Sequence, residues 1–328
     1  MKNILVITTG GTIAMKYDPV KDAFVPAKSG KELLNSVPGI NMFAQLKLVE
    51  FSNIDSSEMT PEMMFRLTQT INQHLVRDEV DGIIVTHGTD TLEETAYIID
   101  LLVDSEKPIV LTAAMRGFDE LGTDVPTNLL AAVKAASSDS CRNLGTLVVK
   151  NDEIHAAREV IKTYTSNVAT LESPGYGPLG IIDPDHVIIF RKSIIRETIV
   201  AKRIEPNVAL YKMSAGNDGS SIDYGLKNNI KGFVIEGLGR GNLPTKAAEK
   251  VLRAINLGLP VVLTSRCFKG RVLGLYGGTG GGKKLHDAGI IYGGDLSGPK
   301  ARIKLMCALG KTSDMLEIKK MFEGGMYG

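Results

Sequence analysis

The chain has 328 residues, 43% of them hydrophobic and 23% charged, which leaves room for two domains that each bury a core. A formal net charge of +1 gives no electrostatic reason to expect nucleic acid or an anionic membrane surface as a partner. Three widely spaced cysteines, Cys141, Cys267 and Cys307, lack the CxxC or Cys/His spacing of a structural zinc site.

In chain order, "ILVI" (4–7) reads as a buried strand that runs into "TTGGTIA". A helix is expected from near Ser29, with Glu32 at capping-box spacing, followed by the strand "LKLVEF" (46–51). Thr60 and Pro61 form a favoured cap and first-turn pair for the next helix. The strand "GIIVTH" (82–87), a helix from around Asp90, "PIVLTA" (108–113), a helix near Thr127 and "GTLVVK" (145–150) complete the alternation. These strands read as buried on both faces, the mark of a parallel sheet with helices on either side. After "DHVIIFRK" (185–192) the pattern loosens through "RETIVAKRIEPN" (196–207). The expected division is a catalytic unit over 1–200, a linker over 201–207 and a second unit over 208–328. The second unit carries "VALYK", "GFVIEG", a helix over Thr245–Asn256, "PVVLTS", and helices near 299–309 and 312–323. The predicted fold class is α/β: a larger N-terminal, mainly parallel sheet domain flanked by helices, plus a smaller C-terminal α/β domain.

Two loops stand out. "ITTGGTIA" (7–14) joins a strand to paired glycines, which allow a sharp bend and close backbone approach, and then to the hydroxyl of Thr12. "THGTDTLEETA" (86–96) follows another strand and opens a helix, so both loops belong to the carboxyl edge of one sheet, where binding crevices form. Asp90 also reads as a helix N-cap with Glu93 completing a capping box, a role that does not exclude a ligand role. Thr12 by itself reads as a turn residue; the second Gly/Thr loop on the same edge gives it a candidate partner.

Together these segments resemble the two signature segments of the bacterial L-asparaginase family, the type I and type II amidohydrolases. The likeness continues through "DSSEM" (55–59), "TAAMRG" (112–117), "YGPLG" (176–180), "GLGRGNLP" (237–244) and "KARIKLM" (300–306). The resemblance implies that Thr12 is the nucleophile, forming an acyl-enzyme as ammonia leaves. It implies that Thr89, Asp90 and Lys162 form the supporting Thr–Asp–Lys group, although Lys162 read alone is a solvated surface lysine. Ser56 and Asp90 would hold the substrate's α-carboxylate and α-amino groups, and the amides of the glycine loop, Thr89 and Ala114 would serve as oxyanion donors. The substrate implied is L-asparagine, with mixed use of L-glutamine or a binding-only sensor as alternatives. No metal or organic cofactor is implied, and neither nucleic acid nor membrane is an expected partner. A homo-oligomer, dimer or tetramer, is implied, with Asn242 and Thr279 reaching a neighbouring subunit's site.

Two positions depart from the family pattern. Phe24 stands where the family usually has a tyrosine, in a segment (Met15 to Ser29) long enough to act as a lid, where Tyr17 is a candidate substitute. Thr279 stands where many relatives carry a carboxylate. A rival reading of "GGTGGGKK" as a phosphate loop fails on sequence, because Lys284 occupies the Ser/Thr position and "LHDAG" is too short for the required helix. His87 and His155 have no matching serine elbow and read as structural. No run approaches the roughly 18 apolar residues of a membrane span, and the N-terminal apolar run is too short for a signal-peptide core. The expected location is therefore the cytoplasm.

Overall fold

The computed structural model describes residues 1–26, 29–35 and 37–325. Two compact units divide between Thr198 and Ile199. Residues 201–207 therefore fall at the start of the second unit, in irregular backbone.

In the first unit β1 (Lys2–Gly10) leads through a 3-10 turn (Thr12–Ala14) into a hairpin of β2 (Met15–Asp18) and β3 (Ala23–Pro26). Then follow α1 (Gly30–Asn35), β4 (Ala44–Ile54), α2 (Pro61–Leu75), β5 (Gly82–Thr86), α3 (Leu92–Leu102), β6 (Ile109–Thr112), α4 (Val125–Ser137) and β7 (Thr146–Lys150). Short strands close the unit: β8 (Glu153–Ala156), the hairpin β9 (Ile161–Lys162) and β10 (Leu171–Glu172), β11 (Gly180–Ile182) and β12 (Val187–Ile189). The large sheet has the order β12-β11-β8-β7-β6-β5-β1-β4. From β4 to β7 every pairing is parallel, and from β7 to β12 every pairing is antiparallel.

This order puts a reversal at β1: the chain passes from β1 outward to β4 and then returns across it to β5, the kind of switch point at whose carboxyl edge ligand crevices form. β5, β6 and β7 are buried along their full length, as their unbroken apolar runs predict. β4 departs from that expectation. It is the edge strand, and only Ala44 among its 11 residues is fully buried. On one face α4 sets Leu129, Ala132, Val133 and Ala136 in a single core with Ile4, Val6, Ile84, Val110, Leu147 and Val149. Elsewhere α2 and α3 pack on each other, α2 also reaching β5 and α3 reaching β7. The helix starts expected at Ser29 and Thr60 are present. Ser29 and Glu32 exchange hydrogen bonds as a capping box, and the Thr60 hydroxyl accepts from the Met63 amide at 3.3 Å.

The second unit holds β13 (Val208–Lys212), α5 (Ser220–Lys227), β14 (Gly232–Gly237), α6 (Thr245–Asn256), β15 (Val261–Ser265), α7 (Gly282–Asp287), β16 (Ile291–Tyr292), α8 (Gly298–Lys311) and α9 (Met315–Glu323). Its four strands form a wholly parallel sheet in chain order. α6 buries Ala247, Ala248, Val251 and Ala254 against Phe233, Ile235 and Leu263 of that sheet. Residues 272–276 are not a strand and α7 has six residues, so the glycine-rich segment between them lacks the strand and long helix that a phosphate loop needs.

Candidate active site

Where β1 ends, the chain folds in a way only glycine permits. Gly10 and Gly11 have φ of 104° and 81°, and a Cβ on Gly11 would lie 2.3 Å from the Gly88 amide nitrogen. The Gly11 amide donates to the Ile54 carbonyl at 2.9 Å, which ties the bend to β4, while Gly11 itself presses on the loop after β5. Thr12 and Thr89 each follow one member of the touching pair Gly11 and Gly88. Ile13 and Ala14 are buried and anchor the 3-10 turn, leaving Thr12 half-buried on the carboxyl edge of the sheet. No hydrogen bond occupies its hydroxyl among the described residues.

Ser56 arrives from the end of β4. Its hydroxyl accepts from the Asp90 amide at 3.2 Å, and its carbonyl accepts from the Thr91 hydroxyl at 2.6 Å. A Cβ on Gly88 would meet that Ser56 hydroxyl at 2.6 Å, so the loops after β1, β4 and β5 are mutually packed. The first turn of α3 differs from the sequence reading. Thr91, not Asp90, is the N-cap residue, and the Glu93 carboxylate accepts the Lys162 backbone amide at 2.7 Å. Asp90 is thus left facing solvent and Lys162.

Lys162 sits on β9, and its ammonium donates to Thr89 Oγ1 at 2.9 Å and to Asp90 Oδ1 at 2.6 Å. Its side chain is 19% exposed against 62% for Asp90, so it is not the solvated surface lysine suggested by the sequence around it. Thr89 itself is buried. Because the Thr89 oxygen accepts from the ammonium, its own proton must point elsewhere, and the hydroxyl can pass a proton between the cation and a bound molecule. Ala114, after β6, is also buried on this edge. Its neighbours are held from behind: Asn128 donates to the Ala113 carbonyl at 2.9 Å, and the Met115 and Arg116 amides donate to Asp124. Thr12, Ser56, Thr89 and Ala114 thus follow four adjacent strands, β1, β4, β5 and β6.

The description "Asparaginase, N-terminal" matches residues 3–195, and "Glutaminase/Asparaginase C-terminal domain" matches residues 207–322. The chain belongs to the asparaginase family. A protein from Bacillus licheniformis named L-asparaginase is 35% identical, with 97% of this chain and 98% of the relative covered. A protein from Methanosphaera stadtmanae, named as a subunit of glutamyl-tRNA(Gln) amidotransferase, is 33% identical across all of this chain and 76% of its own length. The crystal structure of a probable cytoplasmic L-asparaginase from Campylobacter jejuni superposes with a TM-score of 0.88 at 33% identity, covering 98% of this chain and 99% of that one. Membership of the asparaginase family supports hydrolysis of an amide bond as the chemistry.

Other residues singled out in this asparaginase-family chain fall as follows. The His87 ring is fully buried; one nitrogen lies 2.7 Å from the Gly88 carbonyl and the other 3.0 Å from the Thr95 hydroxyl. Burial lowers its pKa to about 4, so the ring is neutral near pH 7 and braces the loop before Thr89. His155 lies in β8, buried, 3.0 Å from the Ser173 hydroxyl. Tyr17 is on the β2–β3 hairpin and donates its hydroxyl to Asp22. That bond raises its pKa above the ordinary tyrosine value. Phe24 pairs with Tyr17 across the hairpin, and its side chain lies outside the described residues. Asn242 and Thr279 lie in the second unit, where the amide and carbonyl of Asn242 bond Leu238 in a tight loop. No group of three or more His, Cys, Asp or Glu able to hold a metal occurs among the described residues.

Proposed function

We propose that this chain is an amidohydrolase that converts L-asparagine to L-aspartate and ammonia through a threonine acyl-enzyme. The observation that carries the reading is the Lys162 ammonium bridging Thr89 Oγ1 and Asp90 Oδ1, on the sheet edge where the glycine bend presents Thr12. Thr12 Oγ attacks the side-chain amide carbon and its proton passes to the departing nitrogen, so that ammonia leaves and an ester remains. Water then attacks that ester, its proton entering the Thr89 hydroxyl as the hydroxyl's own proton moves on to the Thr12 oxygen, so that aspartate departs and Thr12 is restored. Amides of the glycine loop, Thr89 and Ala114 are the donors for the oxyanion formed in both steps. Asp90 takes the substrate's α-ammonium and the Ser56 hydroxyl its α-carboxylate.

We favour a homo-oligomer, dimer or tetramer, in which Asn242 and Thr279 complete a neighbouring subunit's site. The cytoplasm is the favoured location, the compartment named for the Campylobacter neighbour, although a Haemophilus influenzae relative 33% identical to this chain is named a probable periplasmic L-asparaginase. No helix among the described residues is long and apolar enough to cross a membrane. A second reading, a glutaminase-asparaginase of mixed specificity, is favoured by the description of the C-terminal match and by the relatives named as amidotransferase subunits. One methylene separates the two substrates, which pockets distinguish by only about 1–3 kcal/mol.

Steady-state ammonia release on L-asparagine and L-glutamine, with hydroxylamine present to trap the acyl group, tests the proposal. Preference for asparagine, successful trapping, and loss of both in Thr12→Ala are expected. Comparable turnover in that variant would overturn the nucleophile assignment. Binding without turnover in the parent would make the chain a sensor.

A further inference from the structure

Lys150 ends β7, and its side chain is only 1% exposed. Its ammonium donates to Asp124 Oδ2 at 2.6 Å and to the Val168 carbonyl at 2.6 Å. Val168 lies in the turn between β9 and β10, six residues after Lys162. Asp124 is the N-cap residue of α4, yet its carboxylate makes no capping bond to that helix. It accepts instead from the Met115 amide at 3.1 Å, the Arg116 amide at 2.9 Å and Asn128 Nδ2 at 2.9 Å. Asn128 in turn donates to the Ala113 carbonyl and accepts from the Asn151 amide, both at 2.9 Å. The backbone is therefore gripped on both sides of Ala114, and one buried ammonium joins that grip to the hairpin carrying Lys162.

The charges support the same picture. Burial pushes the Asp124 carboxyl up, but its hydrogen bond from Lys150 and the amides of Arg116 and Met115 more than offset this and hold it below its ordinary range. Burial pulls Lys150 down, Asp124 opposes that, and the positive charge of Lys162 adds to the lowering. A buried ion pair of this kind is weak evidence for stability and better read as a device for fixing geometry. An aspartate that gives up capping its own helix to hold the 115–116 amides fits that use.

We propose that Lys150 and Asp124 are positioning residues that set the Ala114 loop in register with the Lys162 hairpin. The inference rests on the reaction proposed above, in which Ala114 supplies an oxyanion donor and Lys162 serves the proton relay. Misregister of about 1 Å between such groups costs on the order of 100-fold in rate while leaving substrate affinity nearly intact.

The test compares the parent, Lys150→Met and the double variant Asp124→Asn/Lys150→Met. The single variant strands a buried carboxylate and is expected to melt earlier. The double variant removes both charges, keeps an acceptor for the 115–116 amides and loses the tie to Val168. It is expected to melt within a few degrees of the parent, with kcat on L-asparagine reduced about 10- to 100-fold and KM within about threefold. Hydrogen exchange in 163–170 should be at least about tenfold faster than in the parent, a readout independent of turnover. Parent-like kcat in the folded double variant, a loss confined to KM, or unchanged exchange in 163–170 would each overturn the proposal. A parent that releases no ammonia would defeat the functional reading instead, and the exchange comparison would still decide whether Lys150 ties the two segments.

Discussion

Replacing Gly11 by alanine probes the bend on which the placement of Thr12 depends. The added methyl would sit 2.3 Å from the Gly88 nitrogen, 2.4 Å from its Cα and 2.9 Å from the His87 carbonyl carbon. Ordinary contact begins at 3.4 Å, so the two loops must part by roughly 1 Å, and backbone cannot yield as a flexible side chain does. Gly11 has φ 81° and ψ 178°, a conformation essentially confined to glycine, and alanine there adds about 1–3 kcal/mol of strain. Gly216→Ala separates the two effects, because Gly216 has φ 75° and nothing within 4 Å of its would-be Cβ. Gly216→Ala should lose about 1–2 kcal/mol in denaturant unfolding from strain, and Gly11→Ala more, from strain and clash together. Only Gly11→Ala should lose about 100-fold or more in kcat for ammonia release, the expected consequence of a displacement near 1 Å. Parent-like kcat in a folded Gly11→Ala chain would refute the idea that contact between the two loops aims the Thr12 hydroxyl.

Two further expectations concern charge. Lys162→Met removes the donor to Thr89 and Asp90 and should lower kcat by about 10²–10⁴. Stability should change by less than about 1 kcal/mol, because the ion pair is largely exposed on the Asp90 side; unchanged kcat would remove Lys162 from the relay. His87 is held at about pKa 4 in the fold against 6.5 when unfolded, so between those values the unfolded chain binds the extra proton. The associated stability is fully present above pH 6.5 and declines as pH falls toward 4, by on the order of 3 kcal/mol. Thermal melts from pH 4 to 7 should slope more steeply for the parent than for His87→Gln, and equal slopes would show that His87 does not titrate this way.

Local signals marked several elements well. Ser29 with Glu32, and Thr60 with Pro61, set helix starts through bonds between near neighbours, and such bonds follow from spacing. α6 runs over Thr245–Asn256, as its pattern predicts. What spacing cannot convey is partnership across long separations. β9 is two residues long and exists only because it pairs with β10, so nothing around Lys162 in the sequence marks it as ordered. The antiparallel extension through β8, β11 and β12 is built from strands too short to show an alternation. Lys150 ends the apolar run of its strand, and nothing in its neighbours marks it as buried; Asp124, 26 residues earlier, and the Val168 carbonyl make its burial tolerable. At Asp90 the spacing itself misled, because Thr91 is the N-cap, the Asp90 amide donates to Ser56, and Glu93 accepts the amide of a residue far along the chain.

The β2–β3 hairpin begins at Met15, one turn of backbone beyond Thr12, and the Met15 carbonyl accepts from the Phe118 amide at 3.3 Å. In the reaction proposed above, the attacking Thr12 and the β2–β3 hairpin are thus separated by only the buried pair Ile13 and Ala14. On that proposal, a substitution in the hairpin that shifts Met15 is expected to disturb the Thr12 oxygen too, so selectivity and turnover would change together.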